Sequence, residues 1–138
     1  MKKCSRLILI VSILSLMLVT YASARASDQI DGGWAVAQAS SGGEIAVEFQ
    51  INGTGKMSKI GASLIVVYEK GSNGWTEFDR ITASDDPSLF TTGAYSHCRT
   101  KYFHGVVGRQ YYAKVTTFAT NSSGTDYRTY TTSIVVAK

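Results

Sequence analysis

From Glu44 to Ile51 the chain reads Glu-Ile-Ala-Val-Glu-Phe-Gln-Ile, with Ile45, Val47, Phe49 and Ile51 at every second position. Successive side chains of an extended strand point to opposite faces, so this spacing puts four large apolar groups on one side of a sheet. No segment from Ser27 onward shows the i, i+3, i+4, i+7 apolar recurrence of an amphipathic helix. The chain is therefore expected to be all-β.

The rest of the sequence extends this pattern. Asn52-Gly53-Thr54-Gly55 reads as a turn, and Lys59–Lys70 reads as a strand with Ile60, Ala62, Leu64, Val66 and Tyr68 in phase. Ile65 and Val67 occupy its other face, which predicts a central strand covered on both sides. Gly71-Ser72-Asn73-Gly74 is a second turn, followed by a short strand over Trp75–Ala83. Ala83-Ser84-Asp85-Asp86-Pro87 is a loop that carries the single proline. Phe90–His104 supplies one or two strands of poorer alternation. Arg109–Thr120 and Thr125–Ala137 are the last two strands, joined through Asn121-Ser122-Ser123-Gly124. About seven short strands with Gly- and Asn-rich turns predict an antiparallel β-sandwich of immunoglobulin or fibronectin type. Its domain runs over 44–138, and the Ser-, Ala- and Gly-rich segment 27–43 is expected to be a flexible lead-in, with Trp34 docking on the sheet. The start of the penultimate strand, Gly108-Arg109-Gln110-Tyr111-Tyr112, looks like the late strand of such a sandwich, where a tyrosine at the strand's start hydrogen-bonds back across a corner.

The first 26 residues are read separately. Lys2, Lys3 and Arg6 precede an apolar run from Leu7 to Val19, and small residues follow at Ala22, Ala24 and Ala26. That three-part plan is a secretory signal peptide, cleaved after Ala24 or after Ala26. The run is shorter than the ~20 residues that a spanning helix needs. Contact with the membrane is thus expected only through the signal peptide during export. No sorting signal follows the last strand, so the protein is expected to be secreted into the extracellular medium.

Removing the leader changes the charge. The chain has fourteen Lys and Arg against ten Asp and Glu, and Lys2, Lys3, Arg6 and Arg25 supply the whole excess. A chain that starts at Ser27 has ten of each sign. Neither nucleic acid nor an anionic membrane is then an expected partner, because both need clustered excess cations. Cys4 goes with the leader, leaving Cys98 alone, so no intramolecular disulfide can form. Cys98 is expected to be a small residue packed in the core, with a dimer through Cys98 as the alternative.

Catalytic residues are sparse. His97 and Cys98 are adjacent, so a strand points them to opposite faces, and His97 and His104 differ by an odd number of residues. A nucleophile–base pair or a zinc set from these three would need a bulge or hairpin between them. Asp85 and Asp86, with Asp79 nearby, lack the ordered spacing of a calcium loop and read as a solvated acidic turn. The phosphate, nucleophile-elbow and zincin motifs are missing. No cofactor and no metal are expected, and the chain is read as non-enzymatic. Asn52 and Asn121 head glycosylation sequons, which mark two exposed turns. Aromatic residues are abundant: Trp34, Trp75, Tyr112, Tyr127 and Tyr130, with Tyr95 and Tyr102, exceed what one small core needs. Exposed aromatics stack on sugar rings or anchor protein partners. The first five are the candidate binding residues, for an unknown protein or a cell-envelope component. A non-enzymatic extracellular binding module is therefore the leading expectation. The alternative is a secreted bacteriocin-like or toxin-like effector, and a minor enzyme using Cys98 with His97 or His104 is the third.

Five pieces carry a family likeness: Leu64-x-x-x-Tyr68-Glu69-Lys70, Gly74-Trp75, Gly108-x-x-Tyr111, Gly124 and Thr131-Thr132-Ser133-Ile134. In this order they resemble an uncharacterised family of small secreted single-domain proteins of Gram-positive bacteria. The likeness covers roughly residues 45–136; Asp126-Tyr127-Arg128 departs from it, where a glutamate and a serine would be expected after the hairpin glycine. It implies secretion and an immunoglobulin-like β-sandwich, and no activity.

Overall fold

The computed structural model describes residues 28–138. The expected signal peptide, with its cleavage sites after Ala24 and Ala26, and Cys4 lie outside these residues. Seven strands occur in chain order: β1 (Ile30–Ala39), β2 (Glu44–Gly71), β3 (Gly74–Thr82), β4 (Phe90–His104), β5 (Gln110–Asn121), β6 (Gly124–Thr131) and β7 (Val135–Val136). Among the described residues two short 3-10 turns, Ser41–Gly43 and Pro87–Leu89, interrupt them. All pairings are antiparallel and belong to one sheet that curls into a half-barrel.

β2 organises the curl. Its first part pairs with β1 and β4, and the stretch 59–61 pairs with β4 and β5. Its last part pairs with β3 and β5. Because a strand has two edges, β1 and β5 follow one another along one side of β2, and β4 and β3 along the other. β6 and β7 then pair with the far edge of β5.

The alternation that opens β2 is realised: Ile45, Val47, Phe49 and Ile51 are fully buried while Ala46, Glu48 and Gln50 are not. Two expectations about the following residues are corrected. Asn52-Gly53-Thr54-Gly55 does not end the strand. Gly53 pairs with Ile30, Thr54 N donates to Gln29 O at 3.0 Å, and a Cβ on Gly53 would lie 2.7 Å from Met57 Cγ. A neighbouring strand takes up the backbone groups that a turn would have left free, so β2 bends and continues. Farther on, the register against β5 slips between Ala62 and Leu64. Ile60 and Ala62 face the core before the slip; Ile65 and Val67 face it afterwards, which turns Leu64 and Tyr68 outward. Ser63 at the bulge stays satisfied: its Oγ donates to Thr116 O at 3.1 Å and its carbonyl accepts from Ala83 N at 3.0 Å.

The lead-in is the third correction. Residues 30–39 form β1, with Ala35 and Ala37 directly opposite Phe49 and Val47. Small side chains let this strand cross the large residues of β2. Gly33 is required there, since a Cβ would sit 2.4 Å from Gln50 O and 2.9 Å from the Tyr130 hydroxyl. The stretch 125–137 also differs, being split into β6 and β7. Thr132 causes the break: its Oγ1, rather than a backbone carbonyl, accepts the Ala113 N–H at 2.9 Å.

β4 is a single fifteen-residue strand that turns His97, Arg99 and Lys101 toward the concave side, opposite Ile51, Phe49 and Val47. Inward-pointing charge on an edge strand discourages pairing with another chain. The loop before β4 folds over this row. Lys101 pairs with Asp86, His97 Nε2 lies 3.1 Å from Ser88 O, and Leu89 is fully buried in the core. Asp86 also caps the 3-10 turn by accepting Ser88 N at 2.9 Å. Lys101, and next Ser88, hold its carboxyl well below the ordinary carboxylate range.

The start of β5 forms a tyrosine corner. The ring of Tyr111 is wholly buried, its hydroxyl accepts Val106 N at 2.8 Å, and it donates to Glu69 Oε2 at 2.6 Å. Arg109 pairs with the other oxygen of Glu69. Glu69, Gly108 and Tyr111, which carry part of the family likeness, thus converge on one corner.

Candidate functional site

The convex face of β3, β2, β4, β5 and β6 gathers the aromatic side chains. On β5, Tyr112, Lys114, Thr116 and Phe118 share the parity opposite to the buried Tyr111, Ala113, Val115 and Thr117, so they line up outward. Tyr112 and Phe118, six residues apart, are roughly 20 Å from each other along the strand.

At the Tyr112 end, Tyr112 stacks on Tyr68 with centroids 4.9 Å apart and meets the edge of Trp75 at 4.7 Å. Lys70 Nζ sits 5.4 Å from the Trp75 centroid and Lys114 Nζ 5.6 Å from that of Tyr68. All three rings are half-buried: one side covers the sheet and the other is open to solvent. The bulge at Ser63 is what delivers Tyr68 to this face.

At the other end, Phe118 lies between Phe90 and Tyr127, with centroids 6.1 and 6.3 Å away. Gly61 makes this possible, since a Cβ there would fall 2.3 Å from Leu89 O and 2.4 Å from Phe90 Cα. Beside these rings lies a hollow of about 360 Å³ lined by Lys59, Ser63, Ala83, Ser84 and the three rings. Lys59 Nζ stands 5.9 Å from the Phe90 centroid. Aromatic rings beside unpaired lysines can stack on a ligand's rings and meet its negative charge.

The five candidate aromatics do not form one patch. Trp75 and Tyr112 are together at the first cluster, and Tyr127, 66% exposed, belongs to the second. Trp34 points outward from β1 opposite Gln50, on the convex face of the other half, and stays 38% exposed rather than docked. Tyr130 faces the concave side over Gly33, its hydroxyl buried without a hydrogen-bond partner among the described residues. Tyr95 and Tyr102 are exposed on β4. Tyr68, Phe90, Phe118 and Lys59 were missed in the sequence reading. The even spacing from Tyr112 to Phe118 is a signal that could have found Phe118, whereas nothing local marks Tyr68 as outward.

His97 and Cys98 point to opposite faces of β4. His104 shares the parity of Cys98 but stands six residues away, roughly 20 Å along the strand. Cys98 is exposed, which corrects the expectation of a packed core residue: its phase places it outward opposite Gln50. Its Sγ donates to Glu48 Oε1 at 3.6 Å, and partial burial together with that carboxylate pushes the thiol above its ordinary value. Such a thiol is poorly activated for attack at neutral pH. Asp85 is occupied by the Thr82 hydroxyl at 2.6 Å and the Thr82 N–H at 3.1 Å, which hold its carboxyl low. Among the described residues no three His, Cys, Asp or Glu side chains are grouped so as to hold a metal ion. Of the two sequon asparagines, Asn121 caps its hairpin by accepting Ser123 N at 2.8 Å, and Asn52 lies inside β2 rather than in a turn. No protein-family model matches this chain, and no curated protein matches it significantly.

Proposed function

We propose that this is a secreted, non-enzymatic binding module whose convex face takes an extended, ring-bearing polymer of a cell envelope. The observation that carries the reading is the unbroken outward row of β5, with an aromatic group at each end and lysine among the rings. A row of roughly 20 Å spans several sugar units, each of which can lay an apolar ring face on an aromatic side chain. We also read the curled sheet as a variant of the immunoglobulin-like sandwich. The tyrosine corner at Tyr111 supports that reading.

Retention of the secreted protein on isolated cell wall and on soluble polysaccharides tests the proposal. Wild type should be retained. Tyr112→Ala and Tyr127→Ala should each lose retention while keeping the wild-type circular dichroism spectrum. Absence of retention on all these materials would reject the module and favour the secreted effector.

A further inference from the structure

We propose that the end of the half-barrel formed by the 105–109 loop and β7 is a membrane-contact surface for anionic lipid. Four aliphatic side chains are exposed there: Val106 at 51%, Val107 at 62%, Ile134 at 56% and Val136 at 45%. They come from two segments that the backbone ties together. Gly108 N donates to Ala137 O at 2.8 Å, Ala137 N donates to Arg109 O at 3.0 Å, and Val136 pairs with Gln110. The four thus belong to one apolar end rather than to scattered positions, and an exposed cluster of this kind marks an interaction surface.

The end is held rigid from behind. Val106 N is fixed on the Tyr111 hydroxyl at 2.8 Å, and Gly108 turns the chain at φ 87°, a conformation that suits glycine. Its valines are therefore presented outward with little ordering left to pay on contact.

The rim selects the occupant. The β2–β3 hairpin and the start of β5 adjoin this end, and they carry Trp75 with Lys70 and Tyr112 with Lys114 nearby. Amphipathic rings and lysines around an aliphatic tip suit the headgroup layer of a bilayer, where ring and ammonium meet water and phosphate while the tip enters the acyl boundary. Two neighbouring carboxylates are neutralised: Glu69 by Arg109, and Glu77 by Arg80 at 2.7 Å. Lys70 and Lys114 make no ion pair among the described residues, so the rim offers positive charge that complements an anionic surface. Among the described residues no helix is long and apolar enough to cross a membrane, so the contact proposed is interfacial.

Co-sedimentation with phosphatidylglycerol/phosphatidylcholine vesicles, compared with pure phosphatidylcholine, tests this on the protein as recovered after export. Binding should be at least roughly tenfold stronger on the anionic vesicles and should weaken in high salt. Val107→Asp and Ile134→Asp should each abolish it while keeping the folded spectrum, and Lys70→Gln with Lys114→Gln should remove the preference for anionic lipid. Tyr95→Asp, at an exposed site on β4, should change nothing. Equal binding by wild type and Val107→Asp, or no binding to either vesicle, would overturn the proposal. So would dimerisation in sedimentation velocity that Ile134→Asp abolishes, since a second copy would then be the occupant. The two readings share the cluster around Tyr112 and separate at their far ends: Val107→Asp should keep polysaccharide retention, and Tyr127→Ala should keep vesicle binding.

Discussion

Replacing Tyr111 with phenylalanine isolates one hydroxyl in the corner between β2 and β5. The ring stays, so its contact with Phe78, centroids 5.1 Å apart, and its fit over Gly105 are retained. Two hydrogen bonds disappear, from Val106 N at 2.8 Å and to Glu69 Oε2 at 2.6 Å. A backbone N–H left facing a phenyl edge loses its partner outright, which costs about 1–3 kcal/mol. In urea denaturation this lowers the midpoint by roughly 1 M with an unchanged slope. Tyr112→Phe, one residue on and facing outward, is the control and should stay within about 0.5 kcal/mol of wild type. Acid adds a second reading. The Tyr111 hydroxyl, against an opposing push from burial and with help from Arg109, holds the Glu69 carboxyl below its ordinary value. A carboxyl depressed in the folded state contributes stability that is present above its unfolded pKa and lost as pH falls through the folded one. The gap between wild type and Tyr111→Phe should therefore be wide at pH 7 and narrower at pH 3. Equal midpoints for Tyr111→Phe and Tyr112→Phe at pH 7 would refute the corner as a source of stability.

Two further outcomes follow from strand phase and local charge. Val47→Asp and Phe49→Asp should each unfold the protein by circular dichroism, because both positions are fully buried in the core, where a carboxylate loses its water and the apolar contacts of the side chain it replaces, whereas Gln50→Asp on the convex face should be nearly silent. At neutral pH Cys98 should react with a thiol reagent more slowly than a free cysteine despite its exposure. Glu48→Gln should speed the reaction by removing the charge that opposes the thiolate, and an unchanged rate would separate the raised pKa from Glu48.

The sequence by itself determined the fold class and the first inward face. Period-two spacing from Ile45 to Ile51 admits only a strand, and burying four large side chains together is the dominant favourable term, so no neighbour could reverse it. The Gly71–Gly74 and Asn121–Gly124 hairpins were legible for a similar reason, as each turn satisfies itself within two residues. Tertiary structure decided what depended on a partner strand. Asn52–Gly55 looks like a turn until β1 supplies hydrogen bonds for it, and residues 30–39 look like a tail until Phe49 and Val47 give their alanines something to cover. The outward face of Tyr68 hangs on one bulge at Ser63, which exists because β5 slips by one residue against β2. A slip of one residue exchanges the two faces of a strand, and only the pairing fixes it. For that reason the candidate site, more than the fold, lay beyond local sequence: its rings come from β2, β3, β4, β5 and β6, and the curl of the sheet alone sets them side by side.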